Sequence, residues 1–408
     1  MCLSDVLRRG LIDASSAREI VCAAVPRMET ERAGVINAFG RVLAENLLVT
    51  HDVPAADLAA ADGYAARSSD IGDASHDEPR RLSVLSDSTS SHTRRLRDGT
   101  AIRVRAGDAL PKGADVVLRS GSVYRPQGEA ELYVLNVAEA GDNVIRAGSE
   151  RAAGDVALES GVVLGAGELA LVATLGAPGV AVSRKPRIGL VTVGTKVVDI
   201  PDKLSPGARR NSERYFLVGA ILECGCDLGR IMHVFDGRIG IARALRECSA
   251  NDAIVVALAE GEKHEGAVQA LRDLGNVFFE RAQMEPAAAS AFGTIGGKPA
   301  FVIPSAAAME AWEIVVRPGL LSMLGASSVN RPSARASLAS TLKVNAGTRQ
   351  YVRATLSSSP QGLVARPLSR TARADIWALA DGLIVVPEDT ATLVRGDSVD
   401  VMVLRLKP

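Results

Sequence analysis

The chain has 408 residues, 47% of them hydrophobic, and 47 basic side chains balance 47 acidic ones. That length divides into several cores at roughly 150 residues per domain, and neutrality lacks the basic footprint that nucleic-acid or anionic-membrane binding leaves. No stretch is a credible membrane span, because the most apolar one, 162–182, contains Glu168, Pro178 and several glycines.

Asp5, Arg8, Arg9 and Asp13 near the N-terminus exclude a secretory apolar region. Cys2, Cys22, Cys224, Cys226 and Cys248 are odd in number, and Cys224-Gly-Cys226 lacks the two-residue spacer of a redox or zinc pair. Buried, reduced thiols in a cytoplasmic protein are expected.

In chain order, Ser15-Ser16 is expected to cap a helix over AREIVCAAV before Pro26, and a second periodic segment reaches Leu48. Residues 1–50 therefore start an elongated domain that resumes at 141–184, where GDNVIRAGSERAAGD suggests tight turns. Between them, 51–140 reads as an inserted, mainly-β domain with a Ser/Arg-rich loop from Ser83 to Asp98.

Residues 185–326 change character. Strands RIGLVTV, DAIVVALA and PAFVIP alternate with helical segments near Arg214 to Cys224, Ile239 to Cys248, Gly266 to Leu274 and Ala306 to Leu324. That alternation predicts an open, mostly parallel α/β sheet, whose ligands bind in loops past the strand C-termini. From 327 to 408, SLASTLKV, YVRATLSS, GLVARPLS, GLIVVPE and SVDVMVLRL form a small, barrel-like β domain.

Several motifs, met in order, resemble the molybdopterin molybdenumtransferase family, to which the C-terminal domain of gephyrin belongs. PAADLAAADGYAAR (Pro54 to Arg67) is similar to the family segment in which an Asp and then Ser-Ala-Met-Asp-Gly-Tyr-Ala face the site; Asp57, Asp62, Gly63 and Tyr64 match. GTAIRVRAGDALPKGADVV (Gly99 to Val117) is similar to the Thr-Gly-Ala-x-Leu-Pro-x-Gly-Ala-Asp signature, with Gly107, Leu110, Pro111, Gly113, Ala114 and Asp115 matching. GDNVIRAGSE, KPRIGLVTVG, GTRQYVRATL and ADGLIVVPE follow in the family's order.

The α/β loops depart from the pattern. Where the family has Thr-Gly-Asp-Glu-Leu, this chain has Val193-Gly194-Thr195-Lys196-Val197, which removes both carboxylates; a Lys is hostile to a hard cation held by oxygen ligands. The family's Ser-Gly-Gly-x-Ser phosphate loop appears as Ala257-Leu258-Ala259-Glu260-Gly261-Glu262, and Lys-Pro-Gly-Lys-Pro as Glu285-Pro286-Ala287-Ala288-Ala289. Leu-Pro-Gly-Asn-Pro becomes Ile303-Pro304-Ser305-Ala306-Ala307, and Asp-Ser/Thr-Asn becomes Asn211-Ser212-Glu213.

The resemblance implies catalytic or metal-environment roles for Asp57, Asp62 and Asp115, for which turn-forming carboxylates are the alternative. It implies ligand contacts at Gly63, Tyr64, Gly107, Gly194, Thr195, Lys196, Ser212, Pro286 and Pro304. Lys196, Arg209 and Arg210 suit either a new anion site or a solvated loop. His264 is expected at an exposed helix start, and His51, His76, His92 and His233 show no metal spacing; Trp312 and Trp377 read as core or dimer packing. The implied activity is insertion of molybdate into adenylylated molybdopterin with release of AMP, assisted by Mg²⁺. The altered loops imply reduced or lost activity, with two alternatives: a silent scaffold, as a homodimer or a heterodimer with an active family member, or an altered anion-binding module.

Overall fold

The Arg187–Val193 strand is buried at every position after Arg187, as is Ala253–Leu258 throughout. Such runs form strands covered on both faces. In the computed structural model, which describes residues 11–85, 95–127, 129–235, 237–368 and 376–405, they lie at the centre of a six-stranded sheet. Its order is Asp227–Val234, Arg187–Val193, Ala253–Leu258, Lys298–Pro304, Ala291–Ile295, Asn276–Phe279; the first four are parallel, Ala291–Ile295 runs antiparallel to them, and Asn276–Phe279 is antiparallel to Ala291–Ile295.

The two-residue period of these strands sorts their side chains into two cores. Ile188, Leu190, Val255, Phe301 and Ile303 pack with Leu217 and Ile221 of the Ser212–Glu223 helix and with Trp312 and Leu320. Val191, Val193, Ile254, Val256 and Val302 pack on the other face against Ile241 and Leu245 of Arg238–Cys248 and Leu271 of His264–Leu274. The expected α/β layer is therefore present, with its helices where the periodicity placed them. The last helical segment is interrupted: a π-helical turn, Trp312–Val316, separates Ala308–Ala311 from Arg317–Leu324.

Two compact units divide the chain. One holds the described parts of Met1–Glu45, Ser160–Gly165 and Ala181–Pro408; the other holds Asn46–Glu159 and Ala166–Val180. In the first unit, strands Ser333–Leu338, Arg349–Ser359, Gly362–Pro367, Gly382–Val386 and Ser398–Val403 close into a barrel, because Gly382–Val386 pairs with both Ser398–Val403 and Arg349–Ser359. Arg281–Glu285 adds in parallel to Arg349–Ser359, and Leu11–Asp13 adds in parallel to Arg281–Glu285.

The first helix, Ala14–Ala24, is capped two residues ahead of Ser15, where the sequence suggested the cap begins. Asp13 is the N-cap: its Oδ1 accepts the N–H groups of Ser15 and Ser16, each at 3.0 Å, so both serines lie inside the helix. Asp13 wins because a carboxylate both accepts these orphan donors and opposes the helix dipole. The later periodic segment is a strand, Thr30–Gly34, followed by a 3₁₀ turn, Val35–Ala38.

The second unit centres on a six-stranded sheet ordered Val116–Arg119, Gly63–Ala66, Thr100–Val104, Arg80–Leu85, Glu131–Val134, Val123–Tyr124. Ala66, Val116 and Leu118 pack on one face, Ala65, Val117 and Val104 on the other. Most of the Ser/Arg-rich segment, 86–94 with His92, lies outside the described residues, as do Cys2, Asp5, Arg8 and Arg9. The cysteines among the described residues are free thiols, and burial pushes Cys248 up to about 11. No helix among the described residues is long and apolar enough to cross a membrane.

Candidate functional site

At the end of Arg187–Val193, buried Thr192 anchors a short polar chain. Asn211 Nδ2 donates to its hydroxyl at 2.9 Å, and that hydroxyl lies 3.0 Å from His233 Nδ1. His233 Nε2 faces the Gly194 carbonyl at 3.1 Å. A carbonyl only accepts, so the proton sits on Nε2 and Nδ1 accepts from Thr192. Burial holds His233 below its ordinary value, and the Arg214 charge adds to that depression, outweighing the carbonyl contacts that favour the cation.

Gly194 turns the chain where no side chain fits. A Cβ there would stand 2.7 Å from Ala259 Cβ and 2.8 Å from Val197 Cγ2. The loops after the first two central strands are thus in contact, and Thr195 N–H donates to Glu262 Oε1 at 3.1 Å. Lys196 is exposed, and its carbonyl accepts the N–H of Arg209 at 2.9 Å in the short parallel pairing of Val197–Val198 with Arg209–Arg210. The loop is therefore structured rather than simply solvated.

Beside this edge lies a cavity of about 710 Å³, lined by polar groups of Arg209, Arg210, Ser212, Glu213 and Glu260 and by residues of the barrel. Pro286, Ala306, Tyr351, Val352, Leu368, Ile376 and Trp377 give it a largely apolar wall, and Glu310 and Arg353 complete the lining. Arg353 Nε and Nη2 each donate to one oxygen of Glu310 at 2.7 Å, and Nη2 also reaches the Ala306 carbonyl. The same guanidinium lies 4.8 Å from the Trp377 ring centroid, whose ring also packs on Phe216 at 4.5 Å. Arg209 is ion-paired to Glu213 one turn on, and Arg210 donates to the Asp199 and Asp202 carbonyls. Among the described residues, three guanidiniums and three carboxylates meet in the lining.

Family models of the MoeA N-terminal region (domain I and II) and the MoeA C-terminal region (domain IV) match residues 12–176 and 335–404. Molybdopterin molybdenumtransferase 1 of Mycobacterium tuberculosis is 29% identical over 424 residues, spanning 96% of this chain and 98% of that protein. The molybdopterin molybdenumtransferase of Bacillus subtilis is 28% identical over 415 residues, spanning 98% and 95%. The solved molybdopterin biosynthesis protein of Pyrococcus horikosii superposes with a TM-score of 0.84 at 24% identity, over 97% of this chain and 100% of its own. The chain belongs to the molybdopterin molybdenumtransferase family.

In this transferase-family member, the candidate carboxylates of the second unit bind other segments of that unit. Asp57 accepts from Arg146 Nη1 at 2.9 Å and from Ala147 N–H at 2.8 Å. Asp62 accepts the Ala106 N–H at 2.8 Å, and Asp115 accepts both the N–H and the hydroxyl of Ser68 at 2.7 Å. Asp62 is thereby joined to the turn that holds Gly107, whose φ is +87°. Gly63 permits the closest strand approach: a Cβ would lie 2.1 Å from the Leu118 carbonyl oxygen. Tyr64 sits beneath Arg125, whose guanidinium carbon is 6.0 Å from the ring centroid. Among the described residues, no three His, Cys, Asp or Glu side chains form a group able to hold a metal ion.

Of the candidates in the first unit, Ser212 and Pro286 line the cavity, whereas Gly194, Thr195, Lys196 and Pro304 do not. His264 corrects its expectation. It begins its helix but is 9% exposed, donating Nε2–H to the Glu280 carbonyl at 2.7 Å. The charges flanking it in sequence suggested exposure, but the strand that carries Phe279 covers it. Sequence reasoning also missed Tyr351, Arg353, Glu310 and the place of Trp377 in the cavity. The legible signal was Arg353 itself, a charge two residues from Tyr351 on the same face of the strand.

Proposed function

We propose that this chain is a member of the molybdenum-cofactor pathway whose own molybdate-insertion activity is reduced or lost, retained as a dimeric partner. The observation that carries this reading is that two of the three guanidiniums in the described lining of the cavity are committed to carboxylates. Arg209 and Arg353 are held by Glu213 and Glu310, so neither guanidinium is left to pair with a ligand phosphate. A charge-assisted contact of that kind contributes about 1.5–3 kcal/mol. Glu262 stands in the loop where glycines would open a phosphate cradle, and its carboxylate is already bound to Thr195 N–H.

The residues present do not fit Mg²⁺ at the first loop. Thr195 and the exposed cation Lys196 replace hard carboxylate ligands, and Asp57, Asp62 and Asp115 each accept hydrogen bonds from other segments of the second unit. Molybdate and adenylylated molybdopterin remain the family's substrates, and a homodimer or a heterodimer with an active family member is the assembly this reading favours. The free thiols agree with a reducing cytoplasm.

The deciding experiment supplies the purified chain with adenylylated molybdopterin, Mg²⁺ and molybdate, with the Bacillus subtilis relative as the positive control. AMP release below about one hundredth of the control rate is expected, from the loss of at least one charged contact. Release at the control rate would overturn the reading.

A further inference from the structure

We propose that Cys224 and Cys226 form a two-thiolate binding site for a soft monovalent cation of the cuprous type, with Arg317 and Arg331 balancing the charge of the complex. Neither cysteine lines the cavity, and the site goes beyond the reading above. Cys224 ends the Ser212–Glu223 helix, and Gly225, at φ +80°, reverses the chain. Gly225 N–H donates to the Leu222 carbonyl at 3.0 Å and Cys226 N–H to the Ile221 carbonyl at 3.2 Å, the paired bonds of a Schellman turn. The turn fixes two cysteines on either side of one glycine, and their thiols hydrogen-bond to each other. Both are buried in the same apolar cluster, while Gly225 is half-buried at the helix end.

The ligand set selects the ion. Zinc takes four ligands in a closed site, and among the described residues no third His, Cys, Asp or Glu joins this pair to hold a metal. A cuprous ion is satisfied by two thiolates in line, and their softness disfavours hard cations. Binding forms two metal–sulfur bonds and releases both thiol protons to solvent; the metal keeps its oxidation state, and the complex carries one negative charge. Cys226 needs the metal for that release. Hydrogen bonding to Cys224, then burial, hold its thiol well above the ordinary value, and a coordinated thiol is deprotonated outright. The counter-charge is already in place. Glu313 takes a two-point contact from Arg331, each at 2.9 Å, and also faces Arg317 at 3.9 Å, so one buried carboxylate serves two guanidiniums. Glu223 also acts on Arg331 but is exposed, where solvent screens it. Burial pushes Arg317 below its ordinary value and the Arg331 charge adds to that, whereas negative charge on Glu313 or Cys224 opposes it. An anionic complex at Cys224 supplies what these guanidiniums lack, in an interior where charge is weakly screened.

The test offers the reduced full chain the cuprous–bicinchoninate complex without oxygen and follows the loss of its colour. One equivalent of cuprous ion is expected to transfer to the protein. The triple variant Cys2→Ser, Cys22→Ser, Cys248→Ser, which keeps only this pair, should take the same equivalent, and Cys224→Ser and Cys226→Ser should each lose it. X-ray absorption at the copper edge should show two sulfur neighbours and no nitrogen or oxygen. No transfer to the unmodified chain would overturn the inference, as would undiminished transfer to the Cys224→Ser, Cys226→Ser double variant or a spectrum with three or more ligands. The absorption result and the transfer to the triple variant stand even if the serine variants of the pair fail to fold.

Discussion

Replacing Arg353 by Met keeps most of the side-chain stem and removes the guanidinium. Its partner Glu310, 2% exposed, would then be a buried carboxylate facing apolar neighbours. Breaking a buried pair from one side costs about 3–5 kcal/mol, and the lost contact with the Trp377 ring at 4.8 Å adds roughly 0.5–2 kcal/mol. At a urea slope of roughly 1–3 kcal/mol/M, the unfolding midpoint should fall by about 1 M or more. The double variant Arg353→Met with Glu310→Met removes both charges and should recover most of that loss, because replacing a whole buried pair is close to neutral. Urea titrations of wild type, Arg353→Met, Glu310→Met and the double variant, followed by tryptophan fluorescence, complete the cycle. A single variant within about 1 kcal/mol of wild type, or a double variant no more stable than the single, would refute the reasoning.

Stability should fall as the pH drops below about 6.5, because burial holds both His233 and His264 below that ordinary value. Below it the unfolded chain takes up protons that the folded rings refuse, so stability is full above that pH and lost beneath it; His233→Gln should flatten the slope of urea midpoint against pH. Gly63→Ala places a Cβ against the Leu118 carbonyl oxygen and should cost at least about 1–3 kcal/mol in the second unit, measured as earlier proteolysis of the Asn46–Glu159 segment. Asp13→Ala removes a cap that accepts two N–H groups and should lower stability by about 0.5–2 kcal/mol in thermal melts, whereas Ser15→Ala should change it little.

The α/β layer was legible because its strands are buried on both faces: RIGLVTV and AIVVAL need no partner to be recognised as apolar runs. Asp227–Val234 was harder, since half-buried positions and a histidine dilute its pattern. The Thr195, Lys196 and Ser212 loops were placed correctly at the strand ends, but their side-chain partners were not readable. Glu262 reaches Thr195 across 67 positions, and Glu310 reaches Arg353 across 43. Such pairings depend on which loops the sheet order makes neighbours, and the local period carries no record of that order. His264 was misplaced for the same reason: the polar residues beside it describe the helix surface, while the element covering it comes from farther along the chain.

The sheet that joins Leu11–Asp13 to Arg281–Glu285 and then to Arg349–Ser359 has a consequence for the order of synthesis. Leu11 pairs with Arg281, and Met284 pairs with Arg349. The opening strand must wait for most of the chain to leave the ribosome, whereas the Asn46–Glu159 segment carries most of its own pairings and can close long before. Loop-closure entropy favours that sequence of events. The inserted unit would fold first during translation, and the unit that bears the cavity would be completed only when the barrel strands arrive.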